Sequence, residues 1–219
     1  MAPVNLDLFD TPTLYGDRME LGPQAMVLRG FASAQAPVLL AEIARVEAVS
    51  PFRNMVTPGG FTMSVALTNC GTLGWTTDRS GYRYTQIDPS TGAPWPAMPE
   101  SFAALARDAA KAAGFSDFAP DACLINRYLP GARMSLHQDR NEVDYDAPIV
   151  SVSLGVSARF LFGGHARKDP TEAVTLLHGD VVVWGGVDRL RFHGVQPLAD
   201  ATHPLVGNQR INFTFRKAG

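Results

Sequence analysis

The feature that most constrains this chain is the punctuation of its second half. After Pro120, short runs rich in branched and aromatic residues alternate with Gly, Pro, Asp and Asn. The runs are Ala122 to Tyr128, Met134 to Gln138, Ile149 to Gly155, Arg159 to Phe162, Val174 to Leu177, Asp180 to Trp184, Leu190 to Val195 and Arg210 to Arg216. Eight such runs in under a hundred residues predict eight short strands. Strands this short and this closely spaced fold as a sandwich or a jelly-roll barrel, the mainly β class.

The rest of the chain agrees. Twenty glycines and sixteen prolines among 219 residues speak for many turns and against a helical bundle. With 46% hydrophobic and 18% charged residues, the chain has enough apolar mass for a core of ordinary size, which excludes a disordered polymer and a disulfide-stapled miniature. Two helices are expected to support one sheet from outside. One covers residues 36 to 49, with Pro37 in its first turn. The other covers Glu100 to Ala113, between Pro99 and the stop signal Gly114. Residues 1–24 mix Asp, Pro, Gly and Thr without a period and predict an irregular lead-in, with structure starting near Met26 and one domain over 25–219.

The net charge of −2 creates no global positive field, although a local basic groove would not show in that sum. Sixteen arginines against three lysines favour two-pronged contacts to carboxylate or phosphate, and base composition of the genome would give the same bias. Cys70 and Cys123 have no metal-type spacing and are expected to be buried thiols. The N-terminus lacks the basic start and apolar core of a signal peptide, and no apolar run reaches membrane-spanning length. The expectation is a soluble, cytoplasmic monomer with no membrane partner.

Candidate chemistry begins at Leu136-His137-Gln138-Asp139. Two residues apart on an extended chain, His137 and Asp139 point to the same face. His193, 54 residues beyond Asp139, could complete a set of two His and one carboxylate, the facial arrangement of non-haem Fe(II) oxygenases. A turn histidine beside a capping Asp would read identically. The last strand places Arg210, Asn212, Thr214 and Arg216 on one face and Ile211, Phe213 and Phe215 on the other. If the polar face lines a barrel, its two guanidiniums suit a dicarboxylic acid; on an outer strand it would simply be solvated. Asn126 and Tyr128 share a face upstream and can hydrogen-bond an acid's oxygens.

Taken together, Asn126-Arg-Tyr128, Leu136-His137-Gln-Asp139, His193 and Arg210-x-Asn212-x-Thr214-x-Arg216 resemble the AlkB family of Fe(II)- and 2-oxoglutarate-dependent dioxygenases. The likeness runs from about residue 24 to the C-terminus, through Pro51-Phe-Arg-Asn-Met-Val-Thr-Pro-Gly-Gly, Thr68-Asn-Cys-Gly, Gly74-Trp-Thr-Thr, Trp95-Pro-Ala-Met-Pro, Pro120-Asp-Ala-Cys-Leu-Ile-Asn-Arg-Tyr and His178-Gly-Asp-Val-Val-Val-Trp-Gly-Gly. It implies a double-stranded β-helix over about 120–219 and nucleotide-recognition hairpins over about 50–95. It also implies an Fe(II) site of His137, Asp139 and His193. Arg210 would take the distal carboxylate of 2-oxoglutarate, helped by Tyr128 and Asn212, while Arg216 and Asn126 steady the keto-acid end. The implied reaction consumes O2, yields succinate and CO2, and hydroxylates a methyl group on a base nitrogen, which leaves as formaldehyde.

The segment Gly74 to Tyr84 predicts a hairpin turning at Ser80-Gly81. An enzyme acting on a base must flip it out and stack it on something flat. By the resemblance Trp75 stacks on the damaged base against His137, with Tyr82 and Tyr84 at the nucleotide backbone. Met63 lies near the base, Thr57 and Arg167 near phosphate or base, and Arg133 and Arg140 at phosphates. Trp184 is expected in the core near the iron site, and His165, His178 and His203 are given no ligand role.

Two departures stand out. Asn141 occupies the place of the family's usual Asp, removing a charge that favours cationic bases such as 1-methyladenine and 3-methylcytosine. Phe61 replaces a Tyr and its hydroxyl. The expected substrate is alkylated single-stranded DNA, with RNA as a further candidate. The competing readings are an oxygenase of a protein or small molecule and a lesion binder without turnover.

Overall fold

The computed structural model describes residues 16–219. Its strands are β1 (Arg18–Gly22), β2 (Ala25–Leu28), β3 (Ala66–Gly71), β4 (Gly74–Asp78), β5 (Gly81–Thr85), β6 (Ala122–Tyr128), β7 (Met134–His137), β8 (Ile149–Gly155), β9 (Ala158–Phe162), β10 (Glu172–Leu176), β11 (Val181–Trp184), β12 (His193–Val195) and β13 (Arg210–Arg216). Two helices, α1 (Ala36–Val49) and α2 (Glu100–Ala112), complete the set. A seven-stranded sheet runs β1-β2-β11-β8-β13-β6-β3 and faces a four-stranded sheet, β10-β9-β12-β7. The hairpin β4-β5 forms a third, two-stranded sheet. This is the mainly β jelly-roll architecture that the strand spacing predicts.

Alternation along the central strands explains the layering. On β13, Ile211, Phe213 and Phe215 turn outward beneath the helices, where Phe102 of α2 stacks on Phe213 with ring centroids 5.0 Å apart and meets Phe215 edge-on. Leu39, Ile43 and Val46 of α1 join the same outer core. The opposite face looks into the space between the sheets, where Ile149, Phe160, Phe162, Val182 and Trp184 form a second core. Every residue of β13 is buried, so its polar face lines the barrel and the solvated-strand reading is excluded.

Helix α2 starts after Pro99 and is followed by Gly114, whose φ of 94° lies in the left-handed region a C-terminal stop requires. The main correction concerns the lead-in. Residues 18–22 form β1, antiparallel to β2 with a bulge between Glu20 and Gly22, whereas 1–15 lie outside the described residues. Arg18, Met19 and Glu20 are exposed on this edge strand, so no apolar alternation marks it. Strand β3 escaped prediction for the opposite reason. Its Leu67, Thr68, Asn69 and Cys70 are all buried, and small and polar side chains there erase the period-two signal.

Candidate active site

The site is built on the register between β7 and β12. These strands pair antiparallel with His193 directly opposite His137 and with an irregularity before Val195. Gly194 permits this approach, since a Cβ there would come 2.8 Å from the Met134 carbonyl oxygen. Asp139 follows β7 by two residues. His137 Nε2 lies 3.7 Å and His193 Nε2 3.9 Å from its carboxylate. The ligand atoms of the three all fall within 4.8 Å of one another.

Each histidine is oriented by its own strand. Nδ1 of His137 meets the Ser135 carbonyl oxygen at 2.8 Å, and Nδ1 of His193 meets that of Arg191 at 3.1 Å. With those carbonyls accepting from Nδ1–H, both Nε2 lone pairs face Asp139, the arrangement expected of imidazole ligands to a metal. Burial, then the neighbouring His137, pushes His193 down to about 3, so its imidazole is neutral near pH 7 and able to ligate. Burial alone would raise the Asp139 carboxyl, but Arg216, with His193 and His137, holds it well below the usual carboxylate range.

Arg216 grips Asp139 through Nε at 3.0 Å and Nη2 at 2.8 Å, both onto Oδ2. Burial would lower its pKa, yet Asp139, Tyr84 and Glu142 raise it above the ordinary guanidinium value. Its geometry thus gives it an orienting task on the Asp139 carboxylate beyond the keto-acid contact implied by resemblance.

Arg210, at the other end of the same strand face, is buried and donates from Nη2 to Ser153 Oγ at 2.9 Å. Its guanidinium carbon sits 5.0 Å from the centroid of the Tyr128 ring. Nε and Nη1 have no hydrogen-bond partner among the described residues, and no carboxylate pairs with the guanidinium there. A buried cation with two idle donors fits an incoming carboxylate. Asn212 faces Asn126 across the β13–β6 ladder and donates to Ser151 Oγ and the Val152 carbonyl, while the Asn126 amide oxygen has no partner among the described residues. Asn126, Tyr128, His137, His193, Arg210, Asn212 and Arg216 all line one cavity, with Trp184 in its wall.

The recognition residues divide into two groups. Trp75 and Met63 pack against Met55, Leu67 and Leu124, and Leu124 also lines the cavity. Tyr82, 48% exposed, stacks on Trp75 with centroids 5.6 Å apart and planes 21° from parallel. Trp75 Nε1 donates to Asn141 Oδ1 at 3.5 Å. By contrast, Thr57 is engaged within its own loop, accepting at Oγ1 from the Phe61 amide, and Arg167 lies over the Phe192 ring. Neither touches the triad. Arg140 donates to Gln138, and the Arg133 backbone exchanges hydrogen bonds with Ser64. His165 contacts the Val187 carbonyl, and His178 stacks on His203, so none of these three joins the ligand set.

Tyr84 departs from expectation. Its hydroxyl turns inward and donates to Glu142 at 2.6 Å instead of facing out toward a nucleotide backbone. Burial raises the phenol well above its ordinary pKa, which keeps it a donor. Glu142 and Arg189 were missed from the sequence altogether. Arg189 reaches Glu142 at 3.3 Å, and its Nη1 donates to the Asp139 carbonyl oxygen at 3.0 Å. The one available signal was Glu142 lying three residues beyond Asp139.

Comparison with known proteins gives a consistent picture. The model of the 2OG-Fe(II) oxygenase superfamily matches residues 24–216. The chain is 59% identical to the alpha-ketoglutarate-dependent dioxygenase AlkB of Salmonella typhimurium, over 97% of this chain and 98% of that one. It is 58% identical to the Escherichia coli protein of the same name, over 98% of each. The solved structure of OsALKBH1 superposes with a TM-score of 0.76 at 27% identity, covering 92% of this chain and all of that one.

Proposed function

Because the chain belongs to the 2OG-Fe(II) oxygenase superfamily, and so is a dioxygenase that works with Fe(II), 2-oxoglutarate and O2, we propose that it repairs N-alkylated bases in single-stranded DNA by oxidative demethylation. One observation carries the substrate class. The partly exposed Trp75–Tyr82 stack packs on Leu124 at the wall of the cavity that His137 and His193 line, and a flipped base needs such a flat apolar seat at the mouth of the chemistry.

In this reading His137, Asp139 and His193 hold Fe(II) through two Nε2 atoms and a carboxylate oxygen. Arg210 binds the distal carboxylate of 2-oxoglutarate with Tyr128 and Asn212 beside it, and Asn126 and Arg216 steady its keto-acid end, all five lining the one cavity. Bound there, iron and cosubstrate supply the oxidising power, with O2 consumed and succinate and CO2 released. The protein's share is to fix the ligands, exclude water and present the methyl group. The hydroxylated methyl then leaves as formaldehyde, restoring the base. Trp75, Met63 and Asn141 contact the base, Tyr82 lies at the nucleotide backbone, Thr57 and Arg167 lie toward phosphate or base, and Arg133 and Arg140 toward phosphates. Residues 50–95 make the recognition segment and 120–219 the catalytic barrel. The protein is taken to act as a monomer, and the buried free thiols Cys70 and Cys123 suit a reducing cytoplasm. Among the described residues no helix is long and apolar enough to cross a membrane.

The test is anaerobic loading with Fe(II) and 2-oxoglutarate, then oxygen, following formaldehyde and base mass on strands carrying 1-methyladenine or 3-methylcytosine. Loss of a methylene's worth of mass with matching formaldehyde supports the proposal, and the same lesions in RNA measure strand chemistry. Succinate formed with a protein or small molecule, and none with methylated strands, overturns it. Trp75→Ala should weaken oligonucleotide binding by about 1–3 kcal/mol, the worth of one stacked base, and full retention of binding would move the substrate elsewhere.

A further inference from the structure

Glu142 is a buried carboxylate that the proposed chemistry does not use. Its side chain is 2% exposed, and its partners come from β5, β13 and the loop that carries Arg189. Oε2 accepts from Arg189, and Oε1 accepts from the Tyr84 hydroxyl at 2.6 Å and lies 3.4 Å from Arg216 Nε. Both guanidiniums also hold Asp139, Arg216 by its side chain and Arg189 by its backbone carbonyl. Tyr84, meanwhile, belongs to the β4–β5 hairpin and is the direct cross-strand partner of Trp75.

Resting on the reading of that hairpin as the nucleotide-recognition element, we propose that Glu142 is a positioning residue that couples the Trp75 platform to the metal-binding carboxylate, through Tyr84 on one side and Arg216 and Arg189 on the other. Two arguments carry this. Glu142 and Asp139 together balance two buried arginines; without the Glu142 charge, an excess of positive charge would stand beside a site meant for a divalent cation. Stability does not account for the arrangement, because buried ion pairs gain little over apolar packing of the same volume. The contact order is also specific. Any shift of Trp75 on receiving a base moves its partner Tyr84, whose hydroxyl ends on Glu142, and Arg216 spans the gap from Glu142 to Asp139.

The experiment uses the full chain with Mn(II) as the probe, its affinity read by electron paramagnetic resonance without turnover, in the presence and absence of a methylated single-stranded oligonucleotide. Glu142→Gln should weaken Mn(II) binding by about tenfold, the usual effect of removing a partner behind a metal ligand. Tyr84→Phe, which removes one hydroxyl, should weaken it roughly threefold and abolish the mutual tightening of Mn(II) and oligonucleotide. The double variant should bind Mn(II) no worse than Glu142→Gln alone, the non-additivity of residues acting in one chain. Wild-type Mn(II) affinity in Tyr84→Phe, or strictly additive losses, would overturn the coupling. If wild type binds Mn(II) but not the oligonucleotide, the nucleotide reading falls and the Mn(II) cycle still judges Glu142. Should Glu142→Gln not fold, Tyr84→Phe decides alone.

Discussion

Among the described residues, Arg210 carries a charge into the barrel with only Ser153 Oγ and the face of Tyr128 to meet it. Burial lowers its pKa, Tyr128 partly opposes this, and two of its N–H groups wait without partners. A charge-assisted hydrogen bond is worth about 1.5–3 kcal/mol. Arg210→Met should therefore raise KM for 2-oxoglutarate roughly 10- to 100-fold while the melting temperature stays near wild type. Steady-state rates with 2-oxoglutarate varied, beside thermal melts, would check this, and an unchanged KM would detach Arg210 from the cosubstrate. This residue was legible in the sequence because alternation along one strand put it on the polar face. Glu142 and Arg189 were not, because their partners lie 47 to 74 residues away and only the folded barrel brings them together. The family resemblance likewise pointed Tyr84 at the nucleotide backbone, and nothing in Gly81-Tyr-Arg-Tyr tells which tyrosine turns inward.

At the level of elements, the approach to the hairpins is pinned by Asp88. It accepts from Ser50 Oγ, from the Ser90 amide and from both arms of Arg53, tying the end of α1 to the loop after β5. Burial pushes its carboxyl up, but the Ser50, Ser90 and Arg53 contacts outweigh this and hold it below the ordinary value of 3.8. A depressed carboxylate stabilises the fold above its unfolded pKa and loses that contribution as pH falls through its folded one. Asp88→Asn should thus cost about 2 kcal/mol near neutrality, and the deficit should shrink below about pH 4. Urea unfolding across pH would show it; a constant deficit down to pH 2 would refute it. The elements themselves were legible where their sequences alternate, as in β6, β8 and β13, or are punctuated, as at Pro99 and Gly114. They were hidden where an edge strand faces solvent, as in β1, or where small polar residues fill a buried one, as in β3.

On the scale of the whole molecule, the metal and cosubstrate sites hang on strands that form the core, so loading them should brace the entire barrel. Saturation at about 100 times Kd adds about 2.7 kcal/mol, a rise of roughly 5–10 °C for a chain of this length. Mn(II) with 2-oxoglutarate should give that shift, a chelator should reverse it, and His137→Ala should lose the metal's part. Absence of any shift in wild type would mean the ligands do not bind the native state. The separateness of the two-stranded sheet has a different kind of consequence. The β4–β5 hairpin pairs with no other strand among the described residues, whereas His137, His193 and Arg210 sit on ladders within the two large sheets and Asp139 follows β7 by two residues. Descendants of such a chain can therefore change what they act on by drift in the hairpin and loops while the oxidising machinery is inherited intact. Substitutions that widen substrate range should accumulate in one lineage after another at 50–95 and 141, with Tyr84 as the position where that freedom meets its check.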